Sequence, residues 1–169
     1  DFHSDHGPGN DDHSDGEIFQ YVAGQVKGAE DGTPSHVTYD AETSYLYIAD
    51  TGNARIVRLD TRAGSKKKAL PRTLEPLKGG GVIAGVDVEV VVTEGTLEKP
   101  SGIELRDGRI YVTDSATSTF HAFDRDGKQL RKLATDLPSG SLAGFTFGAD
   151  GKVYFADKVA ARVLRIDPR

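Results

Sequence analysis

The chain has 169 residues, 37% hydrophobic and 28% charged, the balance of one globular domain rather than a disordered or fibrous segment. It contains no Cys, which excludes disulfides, thiolate metal sites and a cysteine nucleophile within these residues. The net charge of −5 is uneven: residues 1–17 hold six acids and no Lys or Arg, so the rest is nearly neutral and lacks the basic face that nucleic acid requires.

In chain order, "DFHSDHGPGNDDHSDGE" comes first, and residues 1–16 read as an acidic, His- and Asp-rich tail or linker. His3, His6, Asp11, His13 and Asp15 combine imidazole with carboxylate, a donor set suited to a divalent transition metal such as zinc. Asp11, His13, Asp15 and Gly16 also match the first, third, fifth and sixth places of a calcium loop, although its twelfth place is Val22 rather than Glu. A tail that holds a divalent metal (Zn or Ca) and a flexible linker that holds none both stand at this point. No other cofactor is indicated. Residues 17–22, "EIFQYV", then read as an isolated outer strand at the start of the body, residues 17–169.

Three segments of that body repeat one phrase: "YLYIADTGNARIVRLD" (45–60), "RIYVTDSATSTFHAFD" (109–124) and "KVYFADKVAARVLRID" (152–167). Asp50, Asp114 and Asp157 lie 64 and 43 residues apart, the second spacing being that of one propeller blade. An alternating run precedes each copy: "SHVTYD", "SGIELR" and "LAGFTFG". Asp107-Gly108 and Asp150-Gly151 mark tight hairpins, so these strands pair antiparallel. A fourth strand follows the second copy through "DRDGKQLRKLAT", and the first copy's fourth strand is expected within 82–93. The spacing therefore predicts blades at 33–97 (with an insertion, 62–81), 98–136 and 138–169. The insertion carries Lys66, Lys67 and Lys68 without apolar period and reads as a solvated surface excursion. The third blade ends after three strands, and residues 17–22 are expected to supply its outer strand.

"YIADTGNARIVRLD", preceded by "PSHVTYD", resembles the NHL repeat, the blade unit of NHL-type β-propellers. The resemblance implies an all-β, NHL-type β-propeller segment of about three four-stranded blades, half of a six-bladed ring. A second copy, another chain, or sequence preceding Asp1 would then complete the ring. A start at Asp1 and the lack of any Met lead to the expectation of a processed, excised or fragmentary chain, placed as a secreted, cell-surface or periplasmic protein. Its apolar runs are too short to span a bilayer, so no membrane insertion is expected.

The repeated aspartates read as structural, because an Asp closing a strand bonds the backbone of the turn behind it. Pairing of Arg55 with Asp50 and of Arg162 with Asp157 fits the same turns. The loops after these aspartates, 51–54 and 115–119, are the surfaces expected to recognise a ligand, and His36, Asn53, Arg55, Ser115 and Thr117 are the candidate binding residues. The function expected is non-catalytic: a binding or scaffold propeller offering its loops to a protein or other ligand in an extracytoplasmic assembly. The alternative is a metal-dependent lyase or hydrolase with an axial site completed by further blades. That alternative rests on resemblance to the peptidyl-hydroxyglycine amidating lyase, a similar propeller whose zinc-binding histidines follow a Pro near inner strands. Here His36 in "TPSHV" falls one position later, and Gly102 and the Leu142/Ala143 region stand in the equivalent places. His36 reads either as an axial ligand or as a plain residue at a strand start. His121, expected on the face opposite Phe120 and Phe123, points to solvent or to an inter-blade surface. No catalytic residue is assigned.

Overall fold

The computed structural model describes residues 19–68 and 81–167. Its strands are β1 (Phe19–Gln20), β2 (Val37–Asp40), β3 (Tyr45–Asp50), β4 (Arg55–Asp60), β5 (Ser65–Lys68), β6 (Gly81–Ala84) and β7 (Glu89–Val92). There follow β8 (Pro100–Arg106), β9 (Arg109–Asp114), β10 (Thr119–Phe123), β11 (Gln129–Ala134), β12 (Leu142–Phe147), β13 (Val153–Asp157) and β14 (Arg162–Ile166). A 3-10 turn, Thr51–Asn53, joins β3 to β4. No helix among the described residues is long and apolar enough to cross a membrane. The chain divides into two compact units, residues 26–61 with 88–169 and residues 1–25 with 62–87.

The larger unit holds three antiparallel meanders, β2-β3-β4-β7, β8-β9-β10-β11 and β12-β13-β14. Period-two alternation gives every strand one apolar face, and short turns return each strand beside the last. Asp107 and Gly108 both adopt positive φ, 50° and 69°, which matches the right-handed twist of the flanking strands. The meanders stack face to face. Tyr47, Ala49, Ile56 and Val92 of the first meet Ile103, Ile110, Val112 and Phe123 of the second in one buried cluster. Between the second and third, Tyr111 meets Phe147 edge-on at 4.8 Å, and Phe120 meets Phe145 and Phe155 at 5.5 and 5.2 Å. Edge-to-face pairs of this kind add about 0.5–1.5 kcal/mol each to the burial itself. Stacked antiparallel meanders are the blades of a β-propeller, two of them four-stranded and one three-stranded among the described residues.

The smaller unit holds the sheet β1-β6-β5 and corrects two expectations. Residues 17–22 were expected to complete the third blade, but β1 runs parallel to β6, pairing Phe19 with Gly81 and Gln20 with Val82. The insertion supplies its own open strand edge, and the short β1 takes it. Residues 62–81 were expected to be an excursion without strands, yet Ser65–Lys68 is β5, paired with β6. All four of its side chains are exposed, so backbone bonds rather than burial hold it, and its lysines leave the edge unattractive to further strands. The Lys66 ammonium lies 5.7 Å over the Phe19 ring.

Candidate functional site

In each blade the second strand ends on a buried aspartate that gathers nearby N–H donors. Asp50 accepts from the Lys27 amide at 2.7 Å, from Asn53 Nδ2 at 2.9 and 3.1 Å, and from Arg55 Nε at 2.7 Å. Asp114 accepts from the Glu98 and Lys99 amides at 2.7 and 3.1 Å, and from the Ala116 and Thr117 amides at 3.0 and 3.3 Å. Asp157 accepts from the Val159 and Ala160 amides, both at 3.2 Å, and from Arg162 Nε at 3.0 Å. Burial alone would raise the Asp157 pKa, but the Ala160 amide and the Arg162 guanidinium outweigh it and hold the carboxyl below its usual range. Each turn also donates to the segment leading into its own blade: Gly52 N to Lys27 O, Ser115 N to Lys99 O, and Lys158 N to Ser141 O. A Cβ at Gly52 would collide with the carbonyl oxygens of Lys27 and Gly28, so this close approach requires Gly.

The clamps of the first two blades frame a groove of about 330 Å³, lined by Lys27, Glu30, Asp31, Gly52, Glu98 and Lys99 together with neighbouring residues. Lys99 Nζ reaches Asp31 Oδ2 at 2.6 Å across it, and Lys27 Nζ lies 3.6 Å from Glu30. The Lys99 ammonium, aided by the Thr33 amide, holds the Asp31 carboxyl well below the usual carboxylate range. The groove thus offers both signs of charge on a backbone frame fixed by hydrogen bonds. Its volume is at the small end of ligand sites.

The predicted residues distribute unevenly around this frame. Asn53 and Arg55 turn back onto Asp50. Ser115 is buried, its amide donating to Lys99 O and its carbonyl accepting from Gly140 N. Thr117 is exposed on its loop. Glu30, Asp31 and Lys99 were not singled out from sequence, because charged residues in a loop are usually solvated, and only the fold brings 30–31 beside 98–99. His3, His6, Asp11, His13 and Asp15 lie outside the described residues. Among the described residues no group of three or more His, Asp or Glu side chains is placed to hold a metal ion.

His36 lies elsewhere, at the start of the first inner strand. Its N–H donates to Ser101 O at 3.2 Å and its carbonyl accepts from Ala49 N at 2.9 Å. The half-buried imidazole rests against Gly144 of the third blade, where a Cβ would come within 2.8 Å of Cε1. Gly102 and Gly144 occupy the His36 position in the other two copies. Beside them the buried Thr113 hydroxyl accepts from Gly102 N at 2.8 Å and donates to Ala143 O at 2.6 Å, joining the second and third inner strands.

His121 is 3% exposed and parallel to Phe123, with ring centroids 5.9 Å apart. It therefore shares a face with Phe123, contrary to expectation, because the β9–β10 pairing runs without interruption and residues 119, 121 and 123 all project to one side. Neither ring nitrogen closes a well-formed hydrogen bond. Burial pushes its pKa down; the Gln129 side chain acts in the opposite direction.

No family model matches the chain, and no curated protein does. Among solved structures it is similar to virginiamycin B lyase from Staphylococcus aureus, with a TM-score of 0.52 and 14% identity over 78% of this chain and 40% of that one. A catalytically inactive form of the same lyase, solved with quinupristin, gives a TM-score of 0.47 and 14% identity over 83% of this chain and 54% of that one. The chain thus spans about half or less of the length of these structures. At such identity the first likeness establishes the fold alone: the chain is a β-propeller segment.

Proposed function

We propose that the chain is part of an NHL-type propeller that binds rather than converts, offering its loop face to a protein or other ligand in an extracytoplasmic assembly. The groove between the first two blades supports this reading. Its backbone is pre-ordered by the Asp50 and Asp114 clamps, so little ordering cost falls on binding. Lys27, Glu30, Asp31 and Lys99 place charges of both signs along it, which suits a small zwitterion or a charged peptide segment. The test is amide chemical-shift mapping of the chain against a panel of acidic, basic and zwitterionic short peptides. Saturable shifts at Gly28, Glu30, Gly52 and Lys99 that vanish in Lys99→Ala are expected. No saturable shift on this face with any member of the panel overturns the reading.

His36 favours a second reading, a metal-dependent lyase or hydrolase whose axial site further blades complete. Its imidazole reaches across to Gly144, and the solved structure that shares the fold is a lyase by name. One imidazole fits one of the roughly three protein positions a catalytic zinc needs, and the metal would supply an activated water there. Metal analysis of the native particle distinguishes the readings, because equal metal content in wild type and His36→Ala removes His36 as a ligand.

A further inference from the structure

Matching positions of the three copies meet different fates. Tyr47, Ala49 and Ile56 of the first blade are each 0% exposed, packed against the second. Their counterparts in the second blade include Tyr111 and Phe120, which pack against Phe145, Phe147 and Phe155 of the third. Their counterparts in the third are Tyr154, Ala156 and Val163, and here Val163 is 74% exposed, Ala156 exposed and Tyr154 half-buried. The pairings of Tyr154 with Arg165 and of Ala156 with Val163 place all three on one side of the sheet.

The incoming side shows the same contrast. Ile103 and Phe145 are 4% and 9% exposed within the two inter-blade cores, whereas Val37, at the same place in the first copy, is 57% exposed. Leu105 and Phe147 pack into those cores, whereas Tyr39 is 53% exposed. Val37 pairs with Ile48 and Tyr39 with Leu46, so both project to one face of the first sheet. The chain therefore carries an outgoing face and an incoming face of a kind that already meets its complement twice within it.

We propose that the Tyr154, Ala156 and Val163 face of the third blade docks the first blade of a second copy of this chain. Val37 and Tyr39 of that copy would lie over it as Phe145 and Phe147 lie over Phe120 and Tyr111. The second copy is favoured because the interface is continuous in kind with two established ones, and because its first blade carries the matching residues in the same register. The contact is head-to-tail, so two copies close on each other only if their rotation allows it; otherwise they extend. This surface is separate from the loop groove, so its failure and the failure of the binding reading are distinguishable.

The test is light scattering of the purified chain across a micromolar concentration series, repeated with Val163→Asp and with Tyr39→Glu. Both residues are exposed in the single chain, so both variants are expected to keep the wild-type circular dichroism spectrum and melting temperature. Wild type is expected to reach the mass of two chains, and Val163→Asp to weaken that association by about tenfold to a hundredfold, the cost of losing one buried valine. Heavier species that Val163→Asp returns to single chains are the same docking without closure and support it. Wild type of single-chain mass throughout overturns the proposal, as does association that neither substitution weakens.

Discussion

Arg55 Nε donates to Asp50 Oδ2 at 2.7 Å, and the pair closes the turn that joins the second and third strands of the first blade. Asp50 is 1% exposed and has further donors in Lys27 and Asn53. Asp50→Ala orphans the Lys27 amide and strips Arg55 of this partner, so a loss of about 2–4 kcal/mol is expected in urea denaturation. Arg55→Ala leaves the other donors in place and should cost about 1 kcal/mol or less. Equal losses from the two substitutions would show that the ion pair, not the backbone clamp, carries the stability.

Thr113 makes a different prediction about the inner strands. Its hydroxyl is buried between Gly102 N and Ala143 O. Thr113→Val keeps the shape and removes both bonds, with an expected cost of about 1–3 kcal/mol, and Thr113→Ser should recover most of it. Failure of Ser to rescue would assign the role to the methyl group.

Gly102 and Gly144 separate by what they touch. A Cβ at Gly102 would meet Ala143 O at 2.5 Å and Thr113 Oγ1 at 2.7 Å, while one at Gly144 would meet only the His36 ring. Gly102→Ala should therefore destabilise by about 1–3 kcal/mol, and Gly144→Ala by less, because an imidazole moves more readily than backbone. In a His36→Ala background the Gly144→Ala cost should disappear. A double-mutant cycle with no coupling would place the ring away from Gly144 in solution.

His121 sets a pH dependence. Burial lowers its folded pKa below the ordinary value of 6.5; Lys132 adds to that shift, while Gln129 and Asp114 oppose it. The folded state therefore holds the imidazole neutral, and the unfolded state binds the proton first as pH falls. Stability is full above the unfolded pKa of about 6.5 and declines as pH drops toward the lower folded value. His121→Leu should flatten the melting-temperature profile through that window. An unchanged slope would assign the acid sensitivity to other groups.

The blades were legible in the sequence where chemistry repeats. Asp50, Asp114 and Asp157 mark strand ends, and Asp107-Gly108 marks a hairpin. Strand β5 was not legible, because "SKKK" buries no side chain and so has no apolar period to read. The parallel pairing of β1 with β6 joins residues some sixty apart through no turn signal. Ala54, Ser118 and Ala161, each four residues beyond its Asp, adopt φ of 50°, 49° and 49°, and none is the Gly that would have announced a left-handed position. The groove was partly legible. Gly52 stood out in "DTGN", but Asp31 and Lys99 become neighbours only when two lead-in segments lie side by side.

Asp50 holds Lys27 and Arg55, and Asp114 holds Glu98, Lys99 and Thr117, so each clamp closes within one stretch of chain and borrows nothing from the next blade. A gene segment copied from the lead-in to the third strand carries its complete hinge with it. Duplication then adds a blade that arrives already braced, and the groove side chains between neighbouring lead-ins remain open to drift toward new ligands.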